Sequence, residues 1–485
     1  MTTSGHKLSN ALSALRLEKT VNLNLLNSSK VTGFTTDSRK VDSDYVFFAV
    51  RLKKSDFEQR FWYMYTPGES DSFFDGHPYI DHAIKMGAKV IFCEVLPQNL
   101  VINIVYIQVT DVIAAMGILA KTYVQSLNIS IVGVTGSSGK TTAVHAIYTC
   151  LKECGAEVAK VYATRPTPIT LAESVLNMIA VTSKHPDVLI VEMPADRSGV
   201  ISTLSHITSP TVGLVLNIKP AHAKTLGGIP GIVEEKSTIV KRLNSTDFAI
   251  LNADDPNVIK MADSTEAKVI SFGINEGQVQ GRLVNQYDTY SVYDIRYGSH
   301  SVSFRSNLLG ESALYTVLAT FAVAIVFGKS LYAISRAFEK FVPMEGRMSW
   351  HFLDKGRIRV FNNTAKGTPT NTDHLLDLLE KLPWKGLKIL VLGDFDFQED
   401  ETTTVNIWQK ICARFNVVFL SGIRAQKYPP ILGKTIRVVK AHDKDEVLEK
   451  LVTLLATNEV CYVVINGNLE YKHSVLFKEL VEHYV

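Results

Sequence analysis

The chain has few cysteines for its length. Its 485 residues include five, Cys93, Cys150, Cys154, Cys412 and Cys461, and none of them form a Cys-x-x-Cys pair. Disulfide frameworks and structural zinc sites need clustered cysteines, so this pattern favours reduced thiols of the kind found in the cytosol. Cys150 and Cys154 lie one helical turn apart, and small buried thiols on a helix face are their ordinary interpretation.

Long hydrophobic runs are also missing. The longest apolar stretch, residues 315–327, contains Thr316 and Thr320 and is shorter than the roughly 20 residues that a membrane-spanning helix needs. We therefore expect a buried helix there and no membrane span. The amino-terminal sequence MTTSGHKLSNALSALRLEK lacks the apolar segment of a secretory signal, so we expect a cytoplasmic protein.

Charge of one sign is not in excess either. The chain has 51 Lys and Arg residues against 48 Asp and Glu residues, a net charge of +3, and no run of five or six like charges. Nucleic-acid-binding surfaces need clustered positive charge, so we expect no nucleic-acid partner. The sequence does not determine the oligomeric state, and a monomer is the expectation.

The chain is long enough for several domains. A single hydrophobic core stops growing at about 250 to 300 residues, so this length predicts two or three domains. Short apolar runs alternate with segments of helical periodicity, which is typical of α/β domains with largely parallel sheets. The runs cover residues 46–50, 89–93, 131–134, 188–191, 212–216, 248–251, 389–392 and 417–420. We place the domains at 1–127, 128–342 and 343–485.

Residues 51–74 interrupt this α/β rhythm. They are rich in aromatic side chains and contain a Pro-Gly turn, so they predict a long loop or hairpin. Loops of this length are often functional. The alternative is an insertion whose aromatic side chains cover an apolar surface.

A glycine-rich segment follows the apolar run 131–134. The sequence TGSSGKTT at 135–142 is typical of a phosphate-binding loop between a strand and a helix, although the strict form has glycine where this chain has Val134. Lys140 is expected to reach the β- and γ-phosphates and Thr141 to bind Mg²⁺, while free N–H groups at the helix start bind phosphate oxygens. The predicted nucleotide-binding residues are Thr135, Gly136, Ser137, Ser138, Gly139, Lys140, Thr141 and Thr142. Two alternatives remain: a tight turn with a chance Gly-Lys pair, and a nucleotide switch or motor.

Further polar residues follow the next apolar runs. Glu192 ends the run 188–191, where a carboxylate can share one Mg²⁺ with Thr141. The sequence NIKPAH at 217–222 follows the run 212–216, and Lys236 lies in a helical pattern after it. Taken alone, a histidine after a strand is more often an ordinary polar residue, and a helical lysine is usually solvated.

Taken together, these segments resemble the Mur ligase family along most of the chain. The resemblance rests on TGSSGKTT, Glu192, NIKPAH, Lys236, LNADDP at 251–256 and GRM at 346–348. It extends to TDSRKV at 36–41, FFAVR at 47–51 and DGHPYI at 75–80, which are similar to the UDP-sugar-binding part of the tripeptide- and pentapeptide-forming branches. It implies three α/β domains: a UDP-sugar-binding domain, a central parallel sheet of the P-loop type that binds ATP, and a Rossmann-like carboxyl-terminal domain that binds the incoming amine.

The resemblance also implies roles for individual residues. Thr141 and Glu192 would hold a first Mg²⁺, and His222 would hold a second with the help of a carbamylated Lys236. Asn252 and Asp255 match residues on the adenine side of ATP, Arg347 matches an arginine that reaches the phosphates, and Ser38 and Arg39 match a pair near the uridine nucleotide. The implied reaction joins a UDP-N-acetylmuramoyl-peptide to an amino acid or dipeptide through an acyl phosphate, with ATP and Mg²⁺ as cofactors.

The resemblance is divided between two branches of the family. AIKMGAKVIFCEVLP at 83–97 is similar to enzymes that add the third residue, whereas EMPADRSGVI at 192–201 is similar to enzymes that add D-alanyl-D-alanine. A missing Asp-Asn-Pro-Arg signature favours the dipeptide-adding branch. Three motifs depart from the family pattern: GESA at 310–313, NNTAKGTP at 362–369 and NGN at 466–468. A divergent relative that uses another acceptor, or that binds nucleotide without turnover, therefore remains an alternative.

Overall fold

The computed structural model describes residues 4–52, 74–127, 129–161, 167–180, 185–220, 223–365, 369–382, 384–393, 401–421, 436–457, 460–467 and 473–484. The chain divides into two compact units. The first comprises residues 1–278 and 319–329, and the second comprises residues 279–318 and 330–485. The three predicted domains stay predictions.

The first unit opens with a five-stranded sheet in the order β1-β5-β4-β3-β2. Strand β1 pairs antiparallel with β5, and the other neighbouring strands are parallel. Strand β2 lies at one edge of this order. Buried aromatic side chains of β3 and β4, such as Phe48 and Phe92, pack at the centre. The strands are β1 Leu17–Val21, β2 Gly33–Thr35, β3 Tyr45–Phe48, β4 Ala88–Cys93 and β5 Val105–Val109, with helices α1 Ser4–Ala11, α2 Ile80–Met86 and α3 Val112–Ser126.

A second sheet of the first unit is wholly parallel, with neighbouring strands in the order β11-β10-β9-β6-β8-β7. The order reverses at β6, because β8 lies on one side of it and β9 on the other. Ligands of open α/β sheets bind outside the carboxyl ends of the strands at such a reversal. The strands are β6 Ser130–Thr135, β7 Val158–Val161, β8 Val188–Glu192, β9 Val212–Val215, β10 Phe248–Asn252 and β11 Lys268–Gly273.

Helices flank this sheet and join it to the first one. They are α4 Lys140–Glu153, α5 Pro168–Ala180, α6 Val200–Thr208, α7 Ala223–Leu226, α8 Gly228–Lys241 and α9 Pro256–Ile259. One cluster of buried side chains runs through both sheets and includes Phe48 and Val90 of the first and Val191 and Val215 of the second. The shared core makes both sheets parts of one packed body.

The second unit begins with three antiparallel strands, β12 Val279–Gln286, β13 Ser291–Tyr297 and β14 His300–Ser306. No apolar run marks these strands in the sequence, because more buried and more exposed side chains alternate along β13 and much of β14. Helix α10 Glu311–Val326 follows and confirms the buried helix predicted at 315–327. Among the described residues, no helix is long and apolar enough to cross a membrane.

The rest of the second unit is a doubly wound sheet in the order β15-β16-β20-β17-β18-β19. Only β15 runs antiparallel to its neighbour, and separate apolar clusters cover the two faces. The Rossmann-like prediction is confirmed. The strands are β15 Ser349–Leu353, β16 Ile358–Asn363, β17 Leu387–Leu392, β18 Val417–Ser421, β19 Arg437–Ala441 and β20 Cys461–Asn466, and the helices are α11 Leu331–Glu339, α12 Pro369–Glu380, α13 Glu401–Arg414, α14 Lys444–Ala456 and α15 His473–Tyr484.

The predicted insertion is described only at its base. Arg51 and Asp75 form an isolated antiparallel bridge, and their side chains form an ion pair at 2.9 Å. His77 Nδ1 lies 2.6 Å from Asp75 Oδ1, and its Nε2 accepts from the backbone N–H of Glu94. The predicted loop or hairpin at 51–74 otherwise lies outside the described residues, at 53–73.

Candidate nucleotide-binding site

The predicted phosphate loop connects strand β6 to helix α4. Gly136 has a φ of 153° and Gly139 has a φ of 82°, a region that other residues rarely adopt. A Cβ on Gly136 would also lie 2.9 Å from Leu216 Cβ. Both glycines are therefore needed for this turn, which places the N–H groups of the helix start at the carboxyl end of the sheet.

Residues after strand β9 brace the loop. Asn217 Oδ1 accepts from Ser138 N at 3.0 Å, and Asn217 Nδ2 donates to Ser138 O at 3.2 Å. Ser137 Oγ donates to Lys219 O at 3.0 Å and accepts from Lys219 N at 2.9 Å. These hydrogen bonds hold the loop in shape. No role was predicted for Asn217 or Lys219, although Asn217 lies two residues after the buried strand β9.

The two predicted ligands of the first Mg²⁺ meet in the structure. Thr141 Oγ1 donates to Glu192 Oε2 at 2.9 Å, and Glu192 is buried at the carboxyl end of β8. Hydroxyl and carboxylate oxygens are hard donors of the kind that Mg²⁺ prefers. No group of three or more His, Cys, Asp or Glu side chains forms a metal cluster in the described part of the chain. This donor set fits a Mg²⁺ that takes its other ligands from phosphate oxygens and water.

Three more loop residues surround this pair. Lys140 Nζ donates to Gly136 O at 2.7 Å, which holds the ammonium over the loop. Thr135 is fully buried, and its hydroxyl has no hydrogen-bond partner among the described residues. Buried polar atoms are nearly always paired, so an orphaned hydroxyl at this place indicates room for a polar ligand. Thr142 is partly buried in the first turn of α4.

The Lys236 side chain is buried on helix α8, with only 2% of it exposed. The ordinary interpretation of a solvated helical lysine is therefore wrong. Its neighbour Glu235 is also buried and accepts from the N–H groups of Gly199 and Ile201, both at 2.7 Å, at the start of helix α6. His222, the other predicted ligand of a second Mg²⁺, lies outside the described residues.

The predicted adenine-side residues make structural hydrogen bonds. Asn252 Nδ2 donates to Leu216 O at 2.9 Å. Asp255 Oδ2 accepts from Ile218 N at 2.7 Å, and its Oδ1 accepts from two N–H groups that open helix α9. Burial lowers the pKa of the nearby Lys219 ammonium, while the charge of Asp255 acts in the opposite direction. These residues tie strand β10 to the segment that braces the phosphate loop.

Ser38 and Arg39 lie in a short helical turn, Ser38–Lys40, after strand β2. Ser38 is buried, whereas the Arg39 side chain is 83% exposed and donates to both oxygens of Asp37 at 2.9 Å. The hydrogen bond from Arg39 lowers the pKa of Asp37 to about 2. The exposed guanidinium lies in the same unit as the phosphate loop.

Arg347 and the altered motifs belong to the second unit. The Arg347 backbone N–H donates to Met344 O at 3.0 Å in a turn before β15. Asn363 Nδ2 donates to Asn466 Oδ1 at 2.8 Å, and Asn466 Nδ2 donates to Thr372 Oγ1 at 2.8 Å. All three are buried at the carboxyl end of this unit's sheet, so the altered motifs form a neutral polar network.

The altered GESA motif lies at the start of helix α10. Gly310 has a φ of 81°, and its N–H donates to Ser291 Oγ at 3.1 Å. The Gly310 carbonyl accepts from Tyr293 Oη at 2.7 Å. Burial raises the pKa of Tyr293 well above its usual range. The motif is therefore anchored to strand β13 through its glycine backbone.

Comparisons with known proteins agree with this geometry. Residues 134–324 match the Mur ligase middle domain. A UDP-N-acetylmuramoyl-tripeptide--D-alanyl-D-alanine ligase of Bacillus subtilis is 26% identical over 372 residues, which is 75% of this chain and 73% of that protein. A UDP-N-acetylmuramoyl-L-alanyl-D-glutamate--2,6-diaminopimelate ligase of Phocaeicola vulgatus is 25% identical over 386 residues, 76% of this chain and 73% of that protein.

Solved structures share the fold over nearly the whole chain. MurF from Acinetobacter baumannii superposes with a TM-score of 0.83 at 20% identity and covers 99% of both chains. MurF from Thermotoga maritima in complex with ADP has a TM-score of 0.75 at 21% identity and covers 93% of this chain and 98% of that one. Residues 134–324 thus resemble the Mur ligase middle domain, and the chain has the fold of the MurF ligases of known structure.

Proposed function

We propose that the protein is an ATP-dependent carboxylate–amine ligase that joins D-alanyl-D-alanine to a UDP-N-acetylmuramoyl-tripeptide in peptidoglycan precursor synthesis. The observation that carries the proposal is the contact between Thr141 Oγ1 and Glu192 Oε2 beside the phosphate loop. A loop that only turned the chain would need neither a buried carboxylate at this point nor the bracing by Asn217. The dipeptide acceptor is supported by the Bacillus subtilis relative.

The loop binds the triphosphate of ATP in this proposal. The N–H groups at the start of α4 donate hydrogen bonds to phosphate oxygens, and the Lys140 ammonium meets the β- and γ-phosphates. Thr141 and Glu192 would hold one Mg²⁺, while Lys219 and Asn217 keep Ser137 and Ser138 of the loop in place. When bound, Mg²⁺ neutralises phosphate charge and makes the γ-phosphorus easier to attack.

The reaction then needs only positioning and charge stabilisation from the protein. The terminal carboxylate of the muramoyl peptide attacks the γ-phosphate, which gives ADP and an acyl phosphate. The amine of the incoming dipeptide attacks the acyl carbon and releases inorganic phosphate. Lys140 spreads the charge that develops on the transferred group, and the braced loop prevents the phosphates from moving away from the carboxylate.

Lys236 has a specific role in the proposal. Burial disfavours the charged ammonium form of a lysine, and a neutral lysine amine can react with CO₂ to form a carbamate, which carries negative charge. We assign Lys236 as this carbamate and His222 as its companion at the second Mg²⁺. Ser38 and Arg39 bind the uridine-nucleotide end of the substrate, and Arg347 stays a predicted phosphate ligand.

The test is phosphate release by the purified protein with ATP and Mg²⁺. UDP-N-acetylmuramoyl-dipeptide and -tripeptide are each combined with a panel of amino acids and with D-alanyl-D-alanine, and products are identified by mass. We expect release only when the tripeptide and D-alanyl-D-alanine are both present, with a matching pentapeptide product.

Other outcomes separate the alternatives. Release with the dipeptide substrate and a single amino acid assigns the third-residue reaction instead. ATP binding without phosphate release for any amine contradicts the ligase. The protein would then be a nucleotide-binding relative that binds no amine acceptor at the neutral Asn363–Asn466 network.

A further inference from the structure

The edge strand of the first sheet is bonded to a helix of the second sheet. Strand β2 is the last strand of its sheet, so one row of its backbone N–H and C=O groups faces away from β3. Helix α5, which follows strand β7 of the nucleotide-binding sheet, packs beside it. Two polar side chains on one face of α5, Glu173 and Asn177, make the contacts.

Asn177 bonds to strand β2 in the way that another strand would. Its Oδ1 accepts from Phe34 N at 2.9 Å, and its Nδ2 donates to Phe34 O at 2.8 Å. The same Nδ2 also donates to Glu173 O at 2.9 Å within the helix. A side-chain amide has both a donor and an acceptor, so it can satisfy both backbone groups of one residue at an open edge.

Glu173 lies one helical turn before Asn177 and bonds to the residue that directly follows strand β2, Thr36. Its Oε2 accepts from Thr36 N at 3.2 Å and from Thr36 Oγ1 at 3.0 Å. Thr36 opens the TDSRKV segment, which contains Ser38 and Arg39. The carboxylate therefore holds the backbone two residues before the predicted uridine-binding pair.

The helix that carries these side chains is itself firmly fixed. Leu171, Ala172 and Val175 of α5 are fully buried in the cluster that also contains Leu119 of α3 and Val191 of β8. Val191 directly precedes Glu192 at the phosphate loop. The buried face of α5 is thus continuous with the nucleotide site, while its polar face holds the substrate loop.

We propose that Glu173 and Asn177 are positioning residues that set the place of the 36–40 loop, and with it the uridine-nucleotide end of the muramoyl substrate, relative to the phosphate loop. The inference rests on the proposed function. The two ends of the substrate are bound by different sheets, so the distance between the uridine loop and the γ-phosphate determines whether the carboxylate can reach the phosphorus. A small misplacement of a reacting group lowers the rate strongly.

The test variants remove or keep particular hydrogen bonds from α5 to Phe34 and Thr36. Asn177→Asp keeps the acceptor for Phe34 N but loses the donor to Phe34 O, and Glu173→Ala removes both bonds to Thr36. Glu173→Gln is the conservative variant, since its amide oxygen can still accept from Thr36. Ser174→Ala is the matched control, because the Ser174 hydroxyl is exposed and donates within α5, to Thr170 O.

The measurements are binding of UDP-N-acetylmuramoyl-tripeptide and of ADP by calorimetry, the KM values for the tripeptide substrate and for ATP, and the Tm of each variant. For Glu173→Ala and Asn177→Asp we expect the Kd and KM of the tripeptide substrate to rise about tenfold, as the loss of hydrogen bonds to a charged or buried group implies. ADP binding and the KM for ATP stay within about twofold of the wild type. Glu173→Gln retains most of the affinity, and Ser174→Ala behaves as the wild type.

The contradicting results are distinct from one another. Suppose that the wild type and both variants bind the tripeptide substrate equally well, whether or not the Tm of the variants is lowered. Glu173 and Asn177 then merely join two parts of the fold, and the inference is wrong. If the wild type binds ADP but no UDP-muramoyl-peptide, the proposed substrate is wrong and the inference is overturned with it.

Discussion

The carboxyl ends of the two parallel α/β sheets carry polar residues in the same topological place but use them differently. In the nucleotide-binding sheet, Glu192 ends β8 and Asn217 lies two residues after β9, and both contact residues of the phosphate loop and helix start. The Thr135 hydroxyl there has no partner among the described residues. In the sheet of the second unit, Asn363 and Asn466 end β16 and β20 and bond to each other. The first set is arranged for a ligand, whereas the second is largely satisfied by the fold.

The comparison explains why the altered motifs do not disturb the fold. Asn466 uses its amide oxygen for Asn363 and its amide nitrogen for Thr372. The neighbouring His473 ring is also buried and lies within 2.8 Å of Ser421 Oγ, and a Cβ at Gly393 or Gly467 would collide with it. Neutral side chains and glycines thus form a close-packed layer at these motifs.

The largest effect is expected at Lys140. Lys140→Ala removes the cation that meets the β- and γ-phosphates and should lower turnover by about a thousandfold or more, because charge stabilisation dominates phosphoryl transfer. Lys152→Ala, at the exposed end of the same helix, is the control and should leave turnover unchanged. Phosphate release measures both, and a folded Lys140→Ala protein with near-normal turnover would contradict the ATP site.

The second largest loss of activity is expected at Lys236. Lys236→Ala removes the proposed carbamate and should leave on the order of a hundredth of the activity, which acetate or chloride partly restores by supplying negative charge. Lys241→Ala, an exposed lysine on the same helix that pairs with Glu234, is the control. Mass analysis of the native peptide should find one added CO₂ at Lys236, and bicarbonate depletion should lower wild-type turnover. An unmodified Lys236 in a fully active enzyme removes it from the mechanism.

Asn217 tests the difference between the two sheets, because this asparagine near the end of a strand bonds to the phosphate loop rather than to another asparagine. Asn217→Ala removes its hydrogen bonds to Ser138 and should raise the KM for ATP about tenfold and lower stability by about 1 to 3 kcal/mol. The exposed Asn285→Ala provides the control. Kinetics and chemical denaturation report the two effects, and an unchanged KM would show that the loop keeps its shape without this brace.

Asn466 should have the smallest effect on nucleotide binding and a clear effect on stability. Asn466→Ala leaves the Asn363 amide and the Thr372 hydroxyl without their partner, which should cost about 2 to 4 kcal/mol of unfolding free energy. The Kd for ATP should stay at the wild-type value. Denaturant titration and calorimetry test this prediction. A variant of normal stability that no longer accepts the amine would instead place Asn466 in the acceptor site.

Much of the nucleotide-binding sheet was predictable because its strands are buried on both faces and appear as continuous apolar runs. The runs at 131–134, 188–191 and 212–216 became β6, β8 and β9, and the Gly-Lys-Thr spacing identified the loop. Glu192 could be predicted as well, since a carboxylate directly after such a strand must lie at the edge where the loop lies.

Other features depend on partners far apart in the chain and gave no local signal. Glu173 and Asn177 look like ordinary polar positions of an amphipathic helix, and only the packing of α5 against β2 gives them partners at Phe34 and Thr36. The burial of Lys236 could not be predicted either, because a lysine in a helical pattern is usually solvated.

The central claim is that Thr141 and Glu192 hold a divalent cation beside the phosphate loop. The most direct measurement is binding of Mn²⁺ in the presence of a non-hydrolysable ATP analogue, followed by paramagnetic resonance, for the wild type, Thr141→Val and Glu192→Gln. We predict one tightly bound Mn²⁺ that depends on the nucleotide in the wild type, and an affinity lower by about tenfold or more in each variant, since each loses one of two protein ligands. Equal Mn²⁺ affinity in all three proteins would contradict the account.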